Sequence, residues 1–435
     1  MKRLNLIIAG AAIAMTGIAA QADGWTLQQC IDYALDNNID SKLRAQDVES
    51  GELQVADSRH SFLPQINGSV SQSFNFGRGL TSSNTYANRN TSNFQAGLSL
   101  SVPIFSGLRN SRTLEQSKLN LRQLTWQLEQ ARDNVTLNVI AQYLQALYNK
   151  EVEATATAQA QLSEFELNRR RSLSEAGKIA EIEVLEAESQ LAQDRLTLVN
   201  AHNDYQLAIL ELTQLLQLES PDGFEVVALE ADDPILPSAM SVYEAALTGN
   251  SGVLASEAGI ETARAAIGVA QTGYVPTLSF NAGAGSSYYK LNGMDNLPFG
   301  KQMRENYSTY LGFSLNIPIF DALNTRTAVK RARSQYISTQ LQAQQVKTDL
   351  YKTIQQAHVQ ATGARDKYIT AETSQNAAQV SFNAMQEKYN LGRATSTEFE
   401  QSKTNLFKAQ IELIQARYEY LLRYRILSFY ASPRH

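Results

Sequence analysis

Residue types that carry chemistry are sparse in this 435-residue chain. The four histidines stand at 60, 202, 358 and 435, too scattered for an HExxH pair or a Cys/His cluster, and no glycine-rich phosphate loop occurs. No metal and no cofactor is therefore expected. The single cysteine, Cys30, cannot form an internal disulfide, and on the stripe Leu27, Cys30, Ile31, Ala34 it reads as a small core side chain. Leu27-Gln28-Gln29 before it lacks the small residues that precede a lipid-modified cysteine. Carboxylates are abundant but interleaved with Lys, Arg and Gln on helical stretches, the pattern of a solvated face. No catalytic residue stands out, so no enzyme is expected. A formal net charge of -5 supplies no basic excess for a nucleic-acid partner.

The elements that position these residues repeat. Phe62-Leu63-Pro64 is answered by Tyr274-Val275-Pro276, offset by 212 positions, and Val102-Pro103-Ile104-Phe105 by Ile317-Pro318-Ile319-Phe320, offset by 215. The later offset persists through Gly177 and Gly392 and through Leu191 and Leu406. Ser220-Pro221-Asp222-Gly223 and Asp232-Asp233-Pro234 supply turn formers between the halves, so the chain divides into repeat 1 (23–218), a linker (219–238) and repeat 2 (239–435). Ahead of them, residues 1–22 read as a signal peptide: Lys2 and Arg3, an apolar stretch from Leu4 to Ile18, then Ala20-Gln21-Ala22. The chain is expected to be exported, and no later segment is long and apolar enough for a spanning helix.

Alternation of period two predicts four strands, at about 65–76, 94–104, 277–289 and 308–319. In the second, Phe94, Ala96, Leu98, Leu100, Val102 and Ile104 share one side and Gln95, Gly97, Ser99 and Ser101 the other. A soluble sandwich would also alternate. An uncharged, hydroxyl-rich second face and lengths near those of tilted membrane strands favour a wet barrel instead. Four strands cannot close one, so several chains must contribute, and three would leave a channel.

Long proline-free stretches follow each hairpin, 105–172 and 321–390, enough for roughly 100 Å of helix. The returning segments carry sevens: Val184, Leu191, Leu198, Tyr205, Leu212, and Phe399, Leu406, Leu413, Tyr420, Leu427. Helix hairpins are thus predicted over about 107–218 and 321–431. A leading helix at 39–61 and the returning one at 178–218 together match the long helix in length.

These residues, together with Trp25-Thr26-Leu27, Ala34-Leu35 and Asn38, resemble the TolC family of outer-membrane efflux proteins over essentially the mature chain. The resemblance implies an α+β membrane protein whose two repeats each give a β-hairpin to a trimeric 12-stranded β-barrel, continued by antiparallel coiled-coil helices that form a periplasmic tunnel. It implies a homotrimer in the outer membrane of a Gram-negative-type envelope, in contact with outer-membrane lipid, a periplasmic adaptor (membrane fusion) protein and an inner-membrane pump. The function implied is a passive exit duct of a tripartite efflux or type I secretion system. A periplasm-spanning scaffold that conducts nothing is the alternative. The family's entrance lies at the helix-to-helix turns, which match Ser174-Glu175-Ala176-Gly177-Lys178 and Tyr389-Asn390-Leu391-Gly392-Arg393. Gly177, Lys178, Tyr389, Gly392 and Arg393 are the implied turn and adaptor-docking residues. Glu183 and Glu398, six residues after each glycine, are the implied acidic ring, in places where family members commonly carry aspartate; the other reading is exposed charge on a helix. The family's arginine two after the second glycine is Ala394 here, with Arg393 one residue earlier.

Overall fold

The computed structural model describes residues 24–80, 84–229 and 236–432, and the expected signal peptide lies outside them. These residues form two compact units.

One unit (40–133, 237–356, 428–432) holds the sheet. Strands β1 (Gln65–Asn75), β4 (Thr91–Phe105), β5 (Thr277–Leu291) and β6 (Ser308–Asn316) pair antiparallel in the order β1-β4-β5-β6, and β2 (Arg78–Leu80) pairs with β3 (Tyr86–Asn88) in a small hairpin between β1 and β4. The register sets Ile66, Leu100, Ala282 and Leu311 in one row and Asn67, Ser99, Gly283 and Tyr310 in the next, so one face is apolar and the other polar. A Cβ at Gly283 would come 2.5 Å from the ring of Tyr310, an exposed side chain that would have to shift to admit it. Sequence alternation runs the last strand to 319, but β6 stops at Asn316: its partner β5 begins opposite at Thr277, and Pro318 has no N–H for a further rung.

Helix α2 (Ile39–His60) lies against the first part of α3 (Arg109–Glu175): Gly51 lets the backbone approach Leu121 and Leu124, and the Ser58 and Ser117 hydroxyls hydrogen-bond at 2.8 Å. Helices α5 (Ala239–Gly249) and α6 (Ser251–Gln271) precede β5, and the short α7 (Phe299–Glu305) fills the β5–β6 connection.

The other unit (24–39, 134–229, 357–427) contains α1 (Leu27–Asn37), α4 (Glu181–Leu216), most of α9 (Ser396–Ala431) and the later parts of α3 and α8 (Asn324–Asn390). Its core joins Cys30, Ala34, Val139, Tyr143, Leu212 and Leu216, all at most 1 % exposed. Burial pushes the Cys30 thiol up to about 12, so this is an inert core side chain. Of the expected seams, Leu191, Leu212, Phe399, Leu406, Tyr420 and Leu427 are buried, with Ala187, Ala201, Ala409 and Ala416 beside them allowing close helix approach.

Candidate functional site at the two helix turns

Residues 176–180 join α3 to α4, and residues 391–395 join α8 to α9. Both turns close with the same hydrogen bonds. Gly177 N–H donates to Ser174 O at 2.8 Å and Lys178 N–H to Leu173 O at 2.9 Å; Gly392 N–H donates to Tyr389 O at 3.0 Å and Arg393 N–H to Lys388 O at 2.8 Å. This pair of bonds ends a helix on a left-handed residue, and φ is +67° at Gly177 and +69° at Gly392. A Cβ at either would meet no atom within 4 Å, so conformation alone selects glycine here. Lys178 and Arg393 are exposed beside them.

Glu183 and Glu398 each fall in the first turn of the next helix, α4 and α9 respectively. Their surroundings differ. Glu398 is exposed, and its carboxylate accepts from Thr395 N–H and from the Thr395 hydroxyl, both at 2.8 Å, while its own N–H donates to the Thr395 hydroxyl at 3.3 Å. The arrangement is a capping box. Those bonds, the Thr395 backbone one foremost, hold the Glu398 carboxyl below its ordinary value. Ala180 stands at the matching place before α4 and makes no side-chain cap. Glu183 is half-buried, and its main-chain carbonyl accepts from Arg170 Nη1 at 3.4 Å. Among the described residues Glu183 and Glu398 have different partners, Arg170 for the first and Thr395 for the second. Tyr389 stacks on Phe399 at 4.7 Å between ring centroids, the Arg169 guanidinium lies 4.9 Å over the Tyr389 ring, and Arg169 also donates to Asn390 at 3.0 Å.

A buried ionic cluster near the turns escapes the sequence reading. Lys403, 1 % exposed, has its ammonium 2.6 Å from Glu400 and 3.7 Å from Asp194, and donates to the Ser163 hydroxyl at 2.8 Å; Ser163 in turn donates to Asp194. Arg170, equally enclosed, pairs with Glu400 at 3.3 Å. Glu166 is also buried, 3.6 Å from Arg169, and one of its oxygens has no hydrogen-bond partner. Desolvation outweighs the neighbouring cations and raises its carboxyl above the ordinary value. The cluster fastens α3, α4 and α9 together. Its signal was present, because Lys403 lies on the buried stripe between Phe399 and Leu406, and Glu166 and Arg170 flank the buried Leu167.

A sheet with one apolar and one polar face, joined to helices of 67 residues whose turns repeat in both halves, defines a subunit of an outer-membrane export channel. The model of the outer membrane efflux protein family matches residues 30–217 and 242–430, and the chain belongs to that family. It is 24% identical over 431 residues to the outer membrane protein TolC of Escherichia coli, spanning 97% of this chain and 85% of that one. It is 22% identical to the outer membrane efflux protein BepC of Brucella suis, over 93% and 84% of the two chains. The outer membrane channel CmeC of Campylobacter jejuni shares the fold with a TM-score of 0.78 at 20% identity, over 94% of this chain and 86% of that one. The protein is an outer-membrane channel component of a tripartite efflux or type I secretion system, with its helices reaching into the periplasm.

Proposed function

We propose that three copies of this chain close a twelve-stranded barrel, and that the assembly is a passive exit duct, docked at its helix turns to a periplasmic adaptor and driven by an inner-membrane pump, with no chemistry of its own. The observation that carries this is the state of the sheet. Among the described residues β1 and β6 pair with no strand on their outer edges, while Ile66, Val70, Leu98, Leu311 and Phe313 are between 62% and 77% exposed on the apolar face. In hydrocarbon each unsatisfied backbone group costs several kcal/mol, so the edges must pair with further copies, and twelve strands leave an aqueous lumen where eight would be filled. Polar Asn67, Ser99, Ser101 and Asn281 would line it, which favours a conduit over a scaffold. Mass measurement in native-like lipid tests the count: a trimer is expected, and a stable embedded monomer sinks the reading.

In this assembly Gly177, Lys178, Tyr389, Gly392 and Arg393 form the docking tips, and three copies each of Glu183 and Glu398 surround the periplasmic entrance. Carboxylates gathered in a narrow throat attract cations and bind multivalent ones. Planar-bilayer recordings of the Glu183→Gln plus Glu398→Gln variant are expected to show loss of cation preference and of multivalent block. Survival of both places the ring elsewhere.

A further inference from the structure

Beyond its last pair with β6, Gly285 with Ser308, strand β5 continues to Leu291 with only β4 beside it. Its other edge is covered by side chains of the following loop instead of a strand. Gln302, 8% exposed, accepts from Tyr289 N–H and donates to Tyr289 O, both at 3.0 Å; Asn296 accepts from Leu291 N–H and donates to Leu291 O, both at 2.9 Å. Asn306 donates to Ser287 O at 2.7 Å. Alternate residues 287, 289 and 291 thus find amide partners that imitate a neighbouring strand, which fixes the loop and removes an open edge.

The same loop lays α7 on the apolar face of the sheet. The Phe299 ring meets Phe94 at 5.3 Å and Tyr288 at 5.1 Å, and these two are register partners in the apolar row. With Phe299 and Gln302 turned to the sheet, helical spacing turns Lys301 and Arg304 away from it, and both are exposed. Lys290 lies on the strand with the parity of Tyr288 and is exposed too. Lys301 meets Glu305 only at 3.9 Å with both exposed, and no ion pair occupies Lys290 or Arg304 among the described residues. This is the end of the sheet away from the chain segments that enter α3 and α8, so in the outer membrane it lies toward the outer leaflet.

We propose that the aromatic trio and these three cations form a seat for the phosphorylated headgroup of an outer-leaflet glycolipid, acyl chains running along the apolar face and phosphates meeting Lys290, Lys301 and Arg304. Aromatic rings at the end of a lipid-facing strand mark the membrane interface, and cations just beyond them meet anionic headgroups. The inference rests on the barrel proposed above, whose apolar face meets lipid, and continuity with that face favours this occupant over a second copy of the chain.

The test is native mass spectrometry of the delipidated full-length protein, titrated separately with bis-phosphorylated lipid A, with zwitterionic phosphatidylcholine and with inorganic phosphate. Wild type is expected to retain lipid A and neither of the others. The variant Lys290→Gln, Lys301→Gln, Arg304→Gln is expected to bind it about tenfold more weakly or worse, and added salt to weaken wild type likewise. Phe299→Ala, which keeps the charges but frees α7, should lose retention as well. Unchanged lipid A affinity in the triple variant overturns the proposal, as does equal retention of phosphatidylcholine, which leaves only an apolar seat, or of inorganic phosphate, which leaves only an anion site. The same spectra read the oligomeric state independently, so failure of the trimer and failure of the lipid seat are distinguishable.

Discussion

Position for position, Ser174, Ala180 and Val184 at the first helix turn stand where Tyr389, Thr395 and Phe399 stand at the second. The backbone of the two turns is the same, down to the paired hydrogen bonds and the positive φ of each glycine. Around that common frame, the first turn packs Val184 with Leu167, Ala187 and Leu191, whereas the second stacks Phe399 on Tyr389 beside Phe382 and Leu406. The second also has its capping box, and α9 supplies two charged side chains, Glu400 and Lys403, to the ionic cluster where α4 supplies one, Asp194. The difference teaches that duplication preserved what the turn conformation demands and freed what holds each turn in place. The start of α9 is consequently anchored more firmly than the start of α4.

Hydrogen exchange across residues 181–190 and 396–405 can break that comparison. The largest effect belongs to Lys403→Ala, which leaves the enclosed Asp194 without its cation and Glu400 with Arg170 alone; loss of one partner of a buried pair costs about 3 to 5 kcal/mol. Protection at the start of α9 is expected to collapse. Glu188, at the matching place in the first half, meets Arg171 at 3.5 Å with both side chains about half exposed, and its change to Ala is worth under ~1 kcal/mol. Equal losses in both variants would remove the asymmetry.

Next comes the ring. Phe399 is fully buried, and truncation to Ala removes the stack on Tyr389 and opens a cavity, a loss of about 3 kcal/mol. Val184→Ala should cost less, because Val184 is half-buried and has no aromatic partner at Ser174. A larger loss for Val184→Ala by chemical denaturation of the protein would reverse the ranking.

Much of this architecture was legible in the residues, and the reason is periodicity. Alternation gave the four strands because one sheet face must be apolar, and the sevens gave the coiled-coil seams because Leu191 and Leu406 recur on one buried line. What escaped lacks a period. α7 is held by single amides, Asn296, Gln302 and Asn306, whose partners are backbone groups that no pattern announces. The ionic cluster draws on three helices distant in sequence, so each charge looks like surface until the helices meet. Glu183 and Glu398 are equivalent by spacing, yet Ala180 and Thr395 give them different caps, and Glu183 is half-buried where Glu398 is exposed.

That last pair gives the smallest and sharpest test. Thr395→Ala removes the hydroxyl that the Glu398 carboxylate and N–H both use, and loss of such a cap costs about 1 kcal/mol. Ala180→Thr places a hydroxyl three residues before Glu183, as Thr395 stands before Glu398, and should bring the first turn a comparable gain. The two variants together would make the turns more alike in exchange at neutral pH. The effect has a defined pH dependence. Because the folded-state pKa of Glu398 is depressed, its contribution is present above the unfolded value near 4.5 and is lost as pH falls through the folded one. The protection that wild type holds over Thr395→Ala should therefore shrink on acidification below that value, and Ala180→Thr should acquire the same acid sensitivity if Glu183 enters the new box. A gain in Ala180→Thr that persists unchanged in acid would mean that the hydroxyl caps α4 alone, and that the two glutamates differ for a reason other than their caps.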